Sequence, residues 1–183
     1  MREKITFADL ALARRLERAE GAACAQFAEA RRKLFPESGS EWIECGGAYV
    51  VFDGVDSPVT QTFGLGVFED LSAGTLDTIE KFFQERGAPV MHEVSPLAGV
   101  ATLELLCARK YRPIEISSVL YRPVEKPSTS TQLGVAGQSN IKVRVTRSDE
   151  AALWSDVSAR GWGHDHPEFI PILTAIRSCS CGA

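Results

Sequence analysis

The sequence predicts an α/β (α+β) domain, a mixed sheet flanked by helices, followed by the opening of a second, incomplete domain. Three observations carry that prediction. Hydrophobic periodicity changes from helical to extended and back several times within the first 125 residues. The element order helix, hairpin, helix, strand, helix, strand calls for a mixed sheet. A polar, aperiodic stretch, KPSTSTQLGVAGQSN, then separates this unit from a short periodic remainder.

The first element is a long amphipathic helix. Thr6 and Asp9 form a capping pair, and Leu12, Leu16, Ala19, Ala23, Phe27, Ala30 and Leu34 follow at three- and four-residue steps as its inward face. Arg14, Arg15, Glu17, Arg18 and Glu20 fall mostly on the wet side. Gly21 costs about 1 kcal/mol relative to alanine in a helix interior, so the segment is one helix or two with a bend there. Pro36 to Ser40 ends it.

Trp42 to Cys45 and Ala48 to Phe52 read as strands, with Gly46-Gly47 marking a bulge or a close backbone approach between them. Asp53-Gly54 and Ser57-Pro58 turn the chain into a further strand, Val59 to Phe68, which makes an antiparallel hairpin. Gly64-Leu65-Gly66 lies inside that strand, where glycine signals a bulge or a neighbour against the backbone. Ser72 or Thr75 then caps a helix with Leu76, Ile79, Phe82 and Phe83 inward and Gly87 just past its end.

Gly87 to Pro123 follows as strand, helix, strand. Pro89 to Val94 is the first strand, and Ser95-Pro96 starts a helix with Leu97, Val100, Leu103, Leu106 and Cys107 on one face. Ile114 to Arg122 alternates as the second strand. Residues 1–125 are thus one domain and 126–140 a linker. In 141–183, Ile141 to Val145 is a strand and Ser148 caps a helix with Leu153, Trp154 and Val157 inward; no later element closes a core.

Composition bounds the function. In 183 residues, 44% hydrophobic and 24% charged content is ordinary for a globular protein, and the net charge of -4 forms no basic stripe for nucleic acid. No run of eighteen apolar residues is present, and the N-terminus lacks an apolar signal core, so the expected setting is cytoplasmic, without membrane or nucleic-acid partners. Of the five cysteines, Cys24, Cys45 and Cys107 sit singly as reduced, buried thiols. His164-Asp165-His166 and Cys179-x-Cys181 could supply four metal ligands, but the cysteine spacing is too tight for the common two-residue zinc knuckle, and no metal is expected. His92 and Glu93 lie on opposite faces of a short strand, and either is a candidate general base.

The helix-ending ARKYRP with the strand IEISSVLYRP resembles the closing elements of the GCN5-related N-acetyltransferase (GNAT) superfamily. FGLGVFEDLSAGTLDTIEKFFQERGAPVMHEVSPLA is similar to that family's central strand, phosphate-side helix and splayed fifth strand. IKVRVTRSDEAALWSDV resembles the first strand and helix of another such domain, as in the N-terminal part of a tandem-GNAT protein. The resemblance implies a GNAT-like, mostly antiparallel sheet and acetyl transfer from acetyl-CoA to a small-molecule amine. It places the cofactor in a crevice between Phe63–Phe68 and Val90–Val94, on Gly64, Leu65, Gly66, Val67, Ser72, Ala73, Gly74 and Thr75. Glu93 and His92 take the catalytic positions. The loop from Glu69 to Thr75 has no basic residue, and Leu106 stands where many members carry a proton-donating tyrosine. The alternative is a non-catalytic GNAT-like domain serving as scaffold, dimerisation or ligand-binding module, with a homodimer or a second GNAT domain as its partner.

Overall fold

The computed structural model describes residues 8–121, 144, 146–164 and 167. Helix α1, Leu10–Leu34, begins at Asp9, whose carboxylate accepts from the Leu12 N–H at 2.8 Å; Thr6 lies outside the described residues. Strands β1, Glu41–Cys45, β2, Ala48–Phe52, and β3, Gln61–Phe63, form an antiparallel sheet in that order. Helices α2, Ala73–Gln84, and α3, Val100–Ala108, follow. A separate helix α4, Ala151–Trp162, comes after the short 3-10 turn Ser148–Glu150.

The central strand explains the layering. Every residue of β2 except the half-buried Tyr49 is buried, because the strand is covered on both faces. Ala48, Val50 and Phe52 pack with Leu76, Ile79, Phe82 and Phe83 of α2 and Leu106 of α3. Tyr49 and Val51 join Trp42, Phe63 and the α1 residues Cys24 and Ala28 on the other face. One sheet therefore lies between α1 and the pair α2 and α3. Buried Asp53 anchors the connection after β2, accepting from Arg31 at 3.0 Å, Ser40 Oγ at 2.7 Å and Ser57 Oγ at 2.9 Å.

Several expectations are corrected here. Gly46-Gly47 is the turn of the β1–β2 hairpin, with φ +60° and +73°, and not a bulge; it is also a close approach, since an added carbon would lie 2.8 Å from Thr75 at Gly46 and 2.6 Å from Phe68 at Gly47. Helix α1 is unbroken at Gly21, and its buried seam is Ala13, Gly21, Ala25 and Ala28, while Ala19, Ala23 and Leu34 are exposed. Small residues let the helix axis approach the sheet, and the larger Leu12, Leu16 and Phe27 flank the seam half-buried. The strand expected over Val59–Phe68 pairs only at Gln61–Phe63. Pro89–Val94 contributes one parallel bridge, His92 to Thr62, in place of a full strand.

Ser95 caps only the 3-10 turn Pro96–Ala98, and α3 starts after Gly99. Thr102 and Leu106 are its buried residues; Leu97, Val100, Leu103 and Cys107 are exposed. Residues 114–121, expected as part of a strand over Ile114–Arg122, form no regular element, and 114–120 make no backbone hydrogen bond to any described residue, which leaves Ile116 and Leu120 92% and 93% exposed. In α4, Leu153, Trp154 and Val157 are exposed and Ser155 and Ala159 buried, the reverse of the expected face. The linker 126–140 and, apart from Arg144, the strand Ile141–Val145 lie outside the described residues.

Candidate functional site

Where β3 ends, Gly64 turns the chain with φ +76° and Gly66 follows at +71°. The Val67 N–H closes the turn on the Gly64 carbonyl at 3.2 Å. Both glycines are required twice over, by the left-handed backbone and by crowding. A side-chain carbon at Gly64 would lie 2.5 Å from the Phe68 ring, and one at Gly66 would lie 2.4 Å from Thr102 Oγ1. Leu65 and Val67 are core residues, 1% and 2% exposed. The turn is held from the α1 side by three residues on one helical face. Glu17 accepts the Gly64 N–H at 3.0 Å, Arg14 Nε donates to the Val67 carbonyl at 2.8 Å, and the Arg18 guanidinium lies 4.6 Å from the Phe68 ring centre.

Ser72, Ala73, Gly74 and Thr75 form the entry to α2. The Ser72 hydroxyl accepts from the Thr75 N–H at 3.1 Å and pairs with the Thr75 hydroxyl at 2.8 Å. Glu69 and Asp70 stand exposed just before it. Arg109 reaches the Ala73 carbonyl at 3.3 Å, but its guanidinium is engaged by Asp77 at 2.7 Å and Glu80 at 2.8 Å.

His92 and Glu93 sit at the parallel bridge. The Thr62 N–H donates to the Met91 carbonyl at 3.0 Å, and the Glu93 N–H donates to the Thr62 carbonyl at 2.8 Å. Alternation then separates the two side chains. The His92 ring packs 4.8 Å from the Tyr111 ring, and neither ring nitrogen has a partner among the described residues. Burial pushes its pKa down to about 4, so it is neutral at pH 7 and a poor base. The fully buried Thr62 hydroxyl is likewise unpaired, while the Tyr111 hydroxyl donates to Glu80 at 3.1 Å.

Glu93 joins a different neighbourhood. Burial, then Glu20 and Glu115, raise its pKa, and burial followed by Glu93 raises that of Glu17. Burial, Glu20 and Glu93 also push the Cys24 thiol up to about 11. The fold thus brings Glu17, Glu20, Cys24 and Glu93 within electrostatic reach of each other and keeps His92 apart. A carboxylate with a raised pKa is the better proton acceptor, so of the two catalytic candidates Glu93 retains that capacity. Sequence reasoning missed Glu17, having placed it on the wet face. The available signal was its position four residues from Ala13 and Gly21, in register with the small-residue seam.

Acetyl-CoA does not fit the residues assigned to it. Its amide-bearing arm would need free backbone groups along Gly64–Val67, and its pyrophosphate would need a neutral or basic helix entry. Four of those backbone groups, the N–H and carbonyl of Gly64 and of Val67, already have protein partners. The helix entry carries two exposed carboxylates. A shallow concavity of about 380 Å³ elsewhere, lined by Gly39, Glu41, Phe52, Glu85 and Arg86, has its Arg86 and Glu41 paired with each other. Of the residues weighed as metal ligands only His164 is described, and it is exposed. No described helix is long and apolar enough to cross a membrane. Comparison with known proteins returns no match by family model, by curated sequence or by solved structure.

Proposed function

We propose that the chain is the altered first half of a cytoplasmic, GNAT-type N-acetyltransferase that moves an acetyl group from acetyl-CoA to a small-molecule amine. In this reading residues 8–121 are a GNAT-like unit that no longer holds the cofactor, and acetyl transfer belongs to a second such unit beginning near residue 141. The observation that carries it is the parallel bridge between Thr62 and His92. The chain leaves β3, crosses through α2 and returns beside β3 in the same direction, on an otherwise antiparallel sheet. That is the order of central strand, phosphate-side helix and splayed strand which the resembled family uses around its cofactor.

The test is amine-dependent release of CoA thiol from acetyl-CoA, measured with the product of the whole reading frame and a panel of primary amines. Release well above the uncatalysed rate with at least one amine supports the proposal. A folded protein that releases none, and whose melting temperature is unmoved by millimolar acetyl-CoA, refutes it.

A second reading is favoured by the exposed segment 114–120, whose Ile114, Ile116 and Leu120 are at least 80% exposed. Here the unit is a non-catalytic packing or dimerisation module. A homodimer in sedimentation, combined with no CoA release, would select it.

A further inference from the structure

We infer that α1 is the permanent occupant of the Gly64–Val67 crevice, with Glu17 and Arg14 taking the backbone groups along which a cofactor arm would otherwise lie. The inference rests on the GNAT-like reading for what the crevice once held, and on geometry alone for what fills it now. Glu17 Oε2 takes the Gly64 N–H at 3.0 Å and Arg14 Nε supplies the Val67 carbonyl at 2.8 Å, so the two ends of the turn are bound by one acceptor and one donor of opposite charge. The two residues are three apart on α1 and therefore share a face. Arg18, one step further round, covers Phe68. From the other side Thr102 of α3 meets Gly66, where an added carbon would come within 2.4 Å. Leu65 and Val67 point into the core.

Nothing in this arrangement is a groove awaiting a ligand. A cofactor arm could enter only by displacing a charged side chain from each end of the turn, leaving a half-buried carboxylate and a guanidinium without their partners. The clamp thus converts a binding strand into a brace between α1 and the sheet edge. Its glycines persist for packing, since Phe68 and Thr102 occupy the space that a side chain at either position would need.

The experiment uses the 183-residue chain, labelled with ¹⁵N. Adding 1 mM acetyl-CoA is expected to leave the Gly64, Leu65, Gly66 and Val67 amide resonances in place. In a separate pH titration, the Gly64 amide is expected to move with ionisation of a carboxylate, and most of that movement should vanish in Glu17→Gln, a substitution that keeps an accepting oxygen and the fold. Movement of the four amides on adding acetyl-CoA would overturn the inference. A Gly64 amide that titrates equally in the wild type and in E17Q would overturn it too. Neither measurement reads CoA release, so the transferase proposal fails or stands separately.

Discussion

Replacing Gly21 by alanine tests the packing of α1 on the sheet most directly, because helix propensity and tertiary structure predict opposite signs. In an isolated helix the change is worth about 1 kcal/mol of stabilisation. Here an added carbon would lie 2.4 Å from Tyr49 Cδ2 and 2.8 Å from Cγ, against an ordinary separation of about 3.5–4.0 Å. Cγ lies on the axis about which the ring turns, so ring rotation cannot relieve that contact, and Trp42 stands 5.6 Å away centre to centre. Overpacking of this kind costs about 1–3 kcal/mol, and an overlap beyond 1 Å belongs at the upper end. The net expectation is a loss of about 2 kcal/mol, or about 8 °C in melting temperature for a unit of this size. Urea unfolding of wild type, Gly21→Ala, Tyr49→Ala and the double variant forms the cycle. With Tyr49 removed, Gly21→Ala should turn stabilising by up to about 1 kcal/mol. A Gly21→Ala variant as stable as wild type, or one with the same effect in both backgrounds, would refute the close-approach reading.

His92 predicts an acid-sensitive limb. Its pKa is about 6.5 unfolded and about 4 folded, so the unfolded chain binds the extra proton between those values. This contribution is intact above pH 6.5 and is lost as pH falls toward 4, by a few kcal/mol at most. Glu17 and Glu93, whose pKa values are raised, act in the opposite sense, their contribution falling as pH rises. Comparing wild type with His92→Phe by urea unfolding at pH 7.5 and pH 5 isolates the histidine, and an equal loss in both proteins would contradict its burial. Asp53→Ala should destabilise by about 1–3 kcal/mol, because it takes the shared acceptor from the buried Ser40 hydroxyl and from the half-buried Ser57 hydroxyl and Arg31 guanidinium. A change below about 1 kcal/mol in the same assay would mean that water replaces the carboxylate.

Helix α2 was legible from local chemistry in its buried face and its start. Ser72, one of the two caps the spacing offered, and the four buried residues Leu76, Ile79, Phe82 and Phe83 stand where the spacing put them, while Gly87, with φ +66°, follows two residues after the C-cap Glu85. Strand β2 was equally plain, since a five-residue apolar run between turn glycines has few alternatives. In these segments the determinants lie within a few residues of each other, so propensity, capping and periodicity agree.

The candidate site was legible only as a pair of glycines and a His-Glu step. What those residues do depended on partners far away in the chain: Glu17 meets Gly64 across 47 positions, and Arg14 meets Val67 across 53. The buried face of α1 was misread for the same reason, since periodicity favours the stripe of large side chains, whereas close approach to Tyr49 selects the stripe of small ones. Sequence by itself determined α2, the β1–β2 pair and the Asp9 and Ser72 caps, because those follow from interactions within a turn or two, whereas the extents of the later strands did not. Only the tertiary structure decided that the Gly64–Val67 turn is occupied from α1, because hydrogen bonds between distant segments obey no local period.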